Sequence, residues 1–404
     1  MLKLKLHWQI LIALFIAVIY GLFLTDYVNY VSWMGDLFLR ALRMIIVPLI
    51  LTSIISGVAN IGDAHNLGRL GLKTFAYYIT TSFFAIITGL VLVNIIQPGI
   101  GADLGLRSEV PELAASSGDL GDIIMRMVPT NIFDALASAD MLAIIFFSIL
   151  LGYFITRVNE KYKIMFTDFF NGGFEVMMKL THFVIMFTPL GILGIVAAVV
   201  SEQANNIMSL VGSLGLYMSA VLLGLLFHAF IILPFILKLV ARVKPALHAK
   251  AMSAPLLTAF STSSSSATLP LTLDAVENNS GVSNKVTSFV LPLGATVNMD
   301  GTALYECVAA MFIAQAYGIE LGFIMQMVVV ITALLASIGA AGIPMAGLVM
   351  ISVILSAVGL PLEGVGLILA VDRFLDMCRT TVNVWSDSCG AVTIAKTEGE
   401  TLKV

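Results

Sequence analysis

Near the C-terminal end, Asp372, Asp376, Arg379, Asn383 and Asp387 follow an apolar run (Val365 to Val371) and lead into another (Ala391 to Ala395). The setting is that of a membrane-spanning helix, in which each ionised side chain at the centre costs roughly 2.5–3.5 kcal/mol. Spacings of four, three, four and four place the five residues within an arc of roughly 80° on a helix. They form one polar stripe that has to face protein or water. Any fold for this chain must therefore surround that stripe.

Composition agrees. Of the 404 residues 59% are hydrophobic and 11% charged, against about 25% charged in soluble domains, and mean hydropathy is +1.00. The apolar runs are long and continuous, which predicts a polytopic all-α membrane protein and not a barrel of alternating strands. Spans are expected near 9–27, 36–60, 72–97, 121–157, 163–201 and 206–240, with Pro48, Pro129, Pro189 and Pro234 as candidate kinks. Lys3 and Lys5 precede an apolar run too long for a signal peptide, so an uncleaved first span is the better reading. Basic residues cluster at Lys3 and Lys5, Arg69 and Lys73, Arg157 to Lys163, and Lys238 to Lys250, while 98–119 is acidic. This alternation puts the N-terminus and the 241–250 loop in the cytoplasm. A net charge of −4 excludes a nucleic-acid partner, and Cys307, Cys378 and Cys389 lack metal-ligand spacing.

The pattern changes after residue 246. Two short apolar arms flank Ser261 to Thr268, and neither reaches spanning length. A charge-free hydroxyl tip between short arms predicts a re-entrant hairpin whose tip is buried or lines a cavity; the competing reading is a polar loop outside the membrane. A span near 286–316 follows, interrupted by Asn298-Met299-Asp300-Gly301-Thr302. Asn, Asp and Gly there predict local unwinding, which frees carbonyl oxygens beside the Asp300 carboxylate for a hard cation such as Na⁺. Glu306 is a further intramembrane carboxylate, read either as paired with an Arg or as a proton site. Residues 322–358 repeat the hairpin around Ser337 to Pro344, and the striped span closes the chain. Paired interrupted segments of this kind point to a transporter built on an inverted repeat. No nucleophile–base constellation supports an enzyme, and His7, His65, His182, His228 and His248 read as outside the motif region. Adjacent Asp372 and Arg373 read as a buried structural pair.

Ser263 to Thr268, Asn298 to Thr302, Ala341 to Pro344 and Asp376 to Asn383 together resemble the glutamate/aspartate transporter family, the dicarboxylate/amino acid:cation symporters. The resemblance is strong from about 250 to 396. It implies eight transmembrane helices plus two re-entrant hairpins, working as an elevator in a homotrimer of the cell inner or plasma membrane, with both termini cytoplasmic. Residues 1–70 and 99–203 would form the scaffold, and 71–98 and 204–404 the moving transport domain. The second hairpin would be the gate.

The implied substrate is an acidic amino acid. Arg379 matches the residue that pairs with its side-chain carboxylate, Thr302 a second contact there, and Asp376 the partner of its ammonium. Asn383 and the groups near Ser265 match those holding the α-carboxylate, Ser264 and Thr380 complete the substrate set, and Ile343 and Gly347 lie in the gate. Gly294, Asn298, Asn383 and Asp387 match one sodium site. Tyr78, Thr81, Ser82, Asn298 and Asp300 match a second, and Thr296, Met299, Ser337, Ile338 and Ala340 a third. No cofactor is implied; Na⁺ is the coupling ion, and Glu306 resembles the residue linked to H⁺ cotransport and K⁺ counter-transport. Relatives carry an Arg at the position of Ser263 or of Met377, and this chain has neither; Arg373 is the candidate to supply that charge. Rival readings are a C4-dicarboxylate carrier, which Asp376 opposes, a neutral amino acid carrier, which Arg379 opposes, and an anion channel or receptor.

Overall fold

The computed structural model describes residues 6–64, 69–101, 125, 127–202, 207–339 and 346–404. These residues are nearly all helical, with no strand among them. The helices are α1 (Leu6–Phe23), α2 (Asn29–Ala64), α3 (Arg69–Ile96), α4 (Ile132–Ser138), α5 (Met141–Ile155), α6 (Glu160–Ile185), α7 (Thr188–Glu202) and α8 (Ile207–Phe227). There follow α9 (Pro245–Ala251), α10 (Ser253–Thr262), α11 (Ser265–Asp274), α12 (Asn284–Val297), α13 (Asp300–Ala316), α14 (Phe323–Gly339), α15 (Ala346–Ala357) and α16 (Val365–Thr397). By length and composition α2, α3 and α8 can each cross a membrane, and α6 with α7 makes a fourth crossing if counted as one.

Several expected spans take a different form. The run at 163–201 is two helices bent by 53°. The bend falls just before Pro189, which occupies the first turn of α7, where a missing N–H leaves no helical bond unmade. The described part of 121–157 is likewise two helices, parted at Ala139 in the left-handed region (φ 55°). Pro48 lies inside an unbroken α2. α8 continues to Ala241 through two π turns, His228–Ile232 and Leu237–Ala241, on either side of Pro234. A π turn is the usual way a helix absorbs an extra residue without ending.

The hairpin signals were legible. α10 and α11 pack against each other and turn at Ser263, which adopts φ 52°. Ser264 then caps α11 by accepting from the Ala267 amide at 3.1 Å, the local reason a serine run starts a helix here. Ser263, Ser264 and Ser265 are all buried, as expected of a tip packed within protein. The interrupted span parts at Asn298 and Met299, both outside helical geometry. α14 and α15 form the second hairpin; its tip, with Ala340 and Ile343, lies outside the described residues.

Two groups of helices emerge from the packing. α2 packs on α5, α6 and α7, and α7 on α1. Gly35 and Gly194 bring α2 and α7 together: a methyl group on Gly194 would stand 2.4 Å from the Gly35 amide nitrogen. Small residues at such crossings let apolar helices approach where no hydrophobic drive operates. The second group is α3, α8 and α10 to α16, gathered round α13 and α16. Between the groups, α14 and α15 lie against α2, α15 against α5, and α16 against α7. The α10–α11 hairpin packs on α12 and α16, and leaves Leu257 and Leu271 exposed. Outward-facing Phe23, Leu72 and Phe230, each more than 70% exposed, suit a lipid surround.

Candidate functional site

α16 carries the stripe through the centre of the second group as one 33-residue helix. Asp372, Asp376, Arg379, Asn383 and Asp387 are all at most 3% exposed. The cost of burying them is met by mutual pairing and by neighbouring helices. Arg379 is the hub of the first half. Its Nη1 donates to Asp372 Oδ1 at 3.0 Å, its Nε donates to Asp376 Oδ1 at 3.0 Å, and its Nη2 lies 2.9 Å from the same oxygen. The guanidinium carbon sits 4.0 Å from the centroid of the Tyr305 ring, and the Tyr305 hydroxyl donates to Asp372 Oδ1 at 2.5 Å. A planar cation stacked on an aromatic face keeps its in-plane N–H groups available for carboxylates. Gly347, from the second hairpin, closes over this group: a methyl there would lie 3.1 Å from the guanidinium carbon.

These contacts correct the pairing expected for Asp372. Its partner is Arg379, two turns along, and not the adjacent Arg373. Neighbours in sequence point to different sides of a helix, whereas residues three or seven apart share a face. Arg373 instead reaches Asp376 Oδ2 at 3.5 Å and keeps 19% of its side chain exposed. Asp376 thus stands between two guanidinium groups.

Asn383 joins the stripe to the unwound break. Its Oδ1 accepts from the Gly301 amide at 2.7 Å and the Thr302 amide at 3.4 Å, and its Nδ2 donates to Thr302 Oγ1 at 3.0 Å. The first amides of α13 have no intrahelical acceptor. A side chain from α16 therefore caps α13 and locks the two helices in register. Thr380 is buried beside it on the same helix.

One turn further on lies a cluster of oxygens. Asn298 donates to Asp387 Oδ1 at 2.9 Å and to Ser386 Oγ at 3.1 Å. Asp300 accepts from Ser82 at 2.6 Å and Thr81 at 3.3 Å on Oδ1, and from Ser386 at 2.6 Å on Oδ2. Thr81 also donates to Asn298 Oδ1 at 3.3 Å. Carboxylate, amide and hydroxyl oxygens of this kind suit a hard cation. No cluster of three His, Cys, Asp or Glu with metal-holding geometry occurs among the described residues, so any cation here is held by mixed oxygens. Gly294 leaves the room: a methyl on it would meet Asp387 Oδ1 at 2.6 Å and the Tyr78 hydroxyl oxygen at 2.9 Å. Tyr78 therefore borders Gly294 and Asp387, and its hydroxyl donates to Val290 O at 2.6 Å.

The remaining candidates are more scattered. Met299 and Ser337 are buried, Ser337 donating to Leu334 O at 2.8 Å, whereas Thr296 is exposed and donates to Leu293 O at 3.1 Å. Ile338 lies in the last turn of α14. Glu306 is fully buried on α13, and neither carboxylate oxygen has a hydrogen-bond partner among the described residues. The reading of Glu306 as paired with an arginine finds no support there.

Two of the histidines that read as outside the motif region are buried against it in the structure. His228 Nε2 lies 2.9 Å from Asp300 Oδ2, both side chains fully buried. His248 stacks on Trp385 with ring centroids 5.1 Å apart, and contacts Ser280 at 3.0 Å and Ser388 at 3.1 Å. The available signal was a lone imidazole within an apolar span, which by its cost alone asks for a partner. Ser386 and Tyr305 carried no comparable signal, since hydroxyls are common in such helices.

Comparison with known proteins agrees with this architecture. The family model that matches is described as the Sodium:dicarboxylate symporter family, over residues 6–397. Excitatory amino acid transporter 3 of Homo sapiens is 39% identical over 419 residues, covering 91% of this chain and 79% of that protein. The proton/glutamate-aspartate symporter of Escherichia coli (strain K12) is 35% identical over 413 residues, covering 98% and 93%. The proton/sodium-glutamate symport protein of Geobacillus stearothermophilus is 34% identical over 408 residues, covering 98% and 96%. With a match across nearly the whole chain, the protein belongs to the sodium:dicarboxylate symporter family.

Proposed function

We propose that this protein is a sodium-coupled symporter that carries acidic amino acids, L-aspartate or L-glutamate, across the cell membrane. The observation that carries this reading is the Arg379–Asp376 pair, two opposite charges buried three residues apart on one helix face beneath Gly347. A substrate with a carboxylate at one end and an ammonium at the other replaces that internal pair by two external ones. A C4-dicarboxylate would leave Asp376 without the ammonium, and a neutral amino acid would leave Arg379 without the carboxylate, each a buried charge deprived of a partner.

Sodium enters the same argument through α13. Asn383 caps its first turn, and Asn298, Asp300 and Asp387 lie one turn away. A cation held by Asp300 and Asp387 offsets two buried carboxylates and fixes the Asn298–Thr302 break. That break in turn presents Thr302 and Asn383 to the substrate. Thr81 and Ser82 belong to this cation group, and Gly294 and Tyr78 to the Asp387 side. Thr296, Met299, Ser337, Ile338 and Ala340 are assigned to a third ion through backbone carbonyls. Ser264, Ser265, Thr380 and Ile343 complete the substrate enclosure.

The movement we infer is an elevator. α1, α2 and α4 to α7 form the scaffold, and α3 with α8 to α16 the carrier. Eight spans, two re-entrant hairpins, a homotrimer and cytoplasmic termini complete the reading. Glu306, buried with no hydrogen-bond partner for either oxygen among the described residues, is assigned a proton, with K⁺ exchanged on the return. This predicts that Glu306→Gln removes the pH and K⁺ dependence of uptake.

Uptake of labelled L-aspartate into proteoliposomes tests the proposal, with Na⁺, H⁺ and K⁺ gradients imposed one at a time. Glutamate should compete, while succinate and serine should not. Uptake that succinate blocks as well as glutamate does would overturn the substrate assignment.

A further inference from the structure

A groove of about 650 Å³ lies behind the stripe, on the side of α16 away from Asp376 and Arg379. Leu226, Phe230 and Pro234 of the α8 rod form one wall, Pro245 and Ala249 of α9 another. Phe260 of the first hairpin and Cys378 and Trp385 of α16 close it. Its lining is almost wholly apolar. Phe230 is 73% exposed and Leu226 is 52% exposed, so the groove opens to the outside of the chain. In a membrane protein its natural occupant is a hydrocarbon chain.

One end of the groove has the opposite chemistry. Arg242 takes a left-handed conformation (φ 53°) between the α8 rod and α9, and α9 lines the groove with Pro245 and Ala249. Lys238, Arg242, Lys244 and Lys250 fall within this one stretch of chain, all exposed. Lys238 stands one turn beyond Pro234, Lys244 precedes Pro245 and Lys250 follows Ala249, so three of the four cations adjoin a lining residue along the chain. None of the four has a carboxylate within 4.0 Å among the described residues. Unpaired cations at the mouth of an apolar groove between membrane helices form a headgroup site.

We propose that this groove binds an anionic phospholipid, its acyl chain between α8, α9, α10 and α16 and its phosphate on Lys238, Arg242, Lys244 and Lys250. The lipid then packs directly against Phe260 and Cys378. It braces the first hairpin against the helix that carries the substrate poles, from the face opposite those poles.

Cys378 reports occupancy. It is partly exposed, whereas Cys307 and Cys389 are fully buried. The protein is reconstituted in phosphatidylcholine alone or with added phosphatidylglycerol, and Cys378 alkylation by N-ethylmaleimide is followed by mass spectrometry. Phosphatidylglycerol should slow labelling at least about fivefold, the preference that one engaged cation supplies. In Lys244→Gln/Lys250→Gln, two exposed positions, the two lipids should give nearly equal rates. Native mass spectrometry should find phosphatidylglycerol retained on the unmodified protein and depleted on the variant. Equal labelling in both lipids overturns the proposal. So does slowing that survives in the variant, which would report membrane surface charge alone. A Cys378 unreactive in every lipid would mean that protein or neutral lipid covers the groove, and overturns it too.

Discussion

The sharpest consequence of the site geometry concerns Arg379→Gln. In this structure the guanidinium satisfies Asp372 and Asp376 and stacks on Tyr305, with 1% of its surface exposed. Glutamine keeps much of the length and removes the charge. Removing one partner of a buried charge pair at a binding site costs about 2–5 kcal/mol, which lowers aspartate affinity by roughly 30- to several-thousand-fold. The loss is specific to the side-chain carboxylate. A neutral amino acid such as serine makes no such pair, and in the variant it no longer strands a buried guanidinium. Serine binding should therefore stay level or improve while aspartate binding collapses. Arg373, 3.5 Å from Asp376, still neutralises that carboxylate and limits damage to the fold. Calorimetric titration with both amino acids at saturating Na⁺ reads the two affinities. An aspartate affinity within about threefold of the parent, or an equal loss for serine, would refute the charge-exchange reasoning.

Further outcomes follow from other contacts. Gly294→Ala places a methyl 2.6 Å from Asp387 Oδ1; overpacking of this kind costs about 1–3 kcal/mol. The Na⁺ concentration for half-maximal uptake should rise about five- to 150-fold, with uptake largely recovered at saturating Na⁺. His248, in the connection between α8 and α10, is held down to about 4 by burial, with a bond from the Ser388 region opposing the shift. Its folded form is neutral, so it takes up a proton on unfolding between about pH 6.5 and 4. Stability should fall as pH drops through that window, and His248→Gln should flatten the dependence of the unfolding midpoint on pH. Glu398, just past the end of α16, is held down to about 2, chiefly by its hydrogen bonds to Arg69 and Lys73. Its contribution is present above the ordinary carboxylate range and is lost as pH falls from there toward 2, so Glu398→Gln should reduce the slope below about pH 5 and leave it nearly unaltered between about pH 5.5 and 6.5.

Much of this architecture was legible because its signals are local. The stripe follows from a fixed angle per residue, and the break at Asn298 from backbone preferences of Asn, Asp and Gly. The buried tip of the first hairpin follows from four serines with no charge among them. What escaped was tertiary. Adjacency in sequence suggested Asp372 with Arg373, but helical geometry turns the two apart and gives Asp372 to Arg379. His228 in its apolar run asks for a partner without naming one, and only the approach of α8 to the α13 break places it on Asp300. The bend between α6 and α7 was marked by Pro189, yet hydropathy is continuous across it and reads as one span. By length and composition three described helices can cross, or four with the bent pair counted as one, and the short hairpin arms do not reach spanning length by themselves.

In the proposed mechanism sodium and substrate meet on α13, where Asn383 caps the turn beside the Asp300 and Asp387 oxygens. If sodium organises that turn for the substrate, the two bindings must be linked, each strengthening the other by the same factor. L-Aspartate affinity of the purified protein, measured by calorimetry across a series of Na⁺ concentrations at constant ionic strength, tests this directly. The account predicts that affinity climbs steeply with Na⁺, with a logarithmic slope above one, and that Asp300→Asn flattens it. An affinity independent of Na⁺ would contradict it.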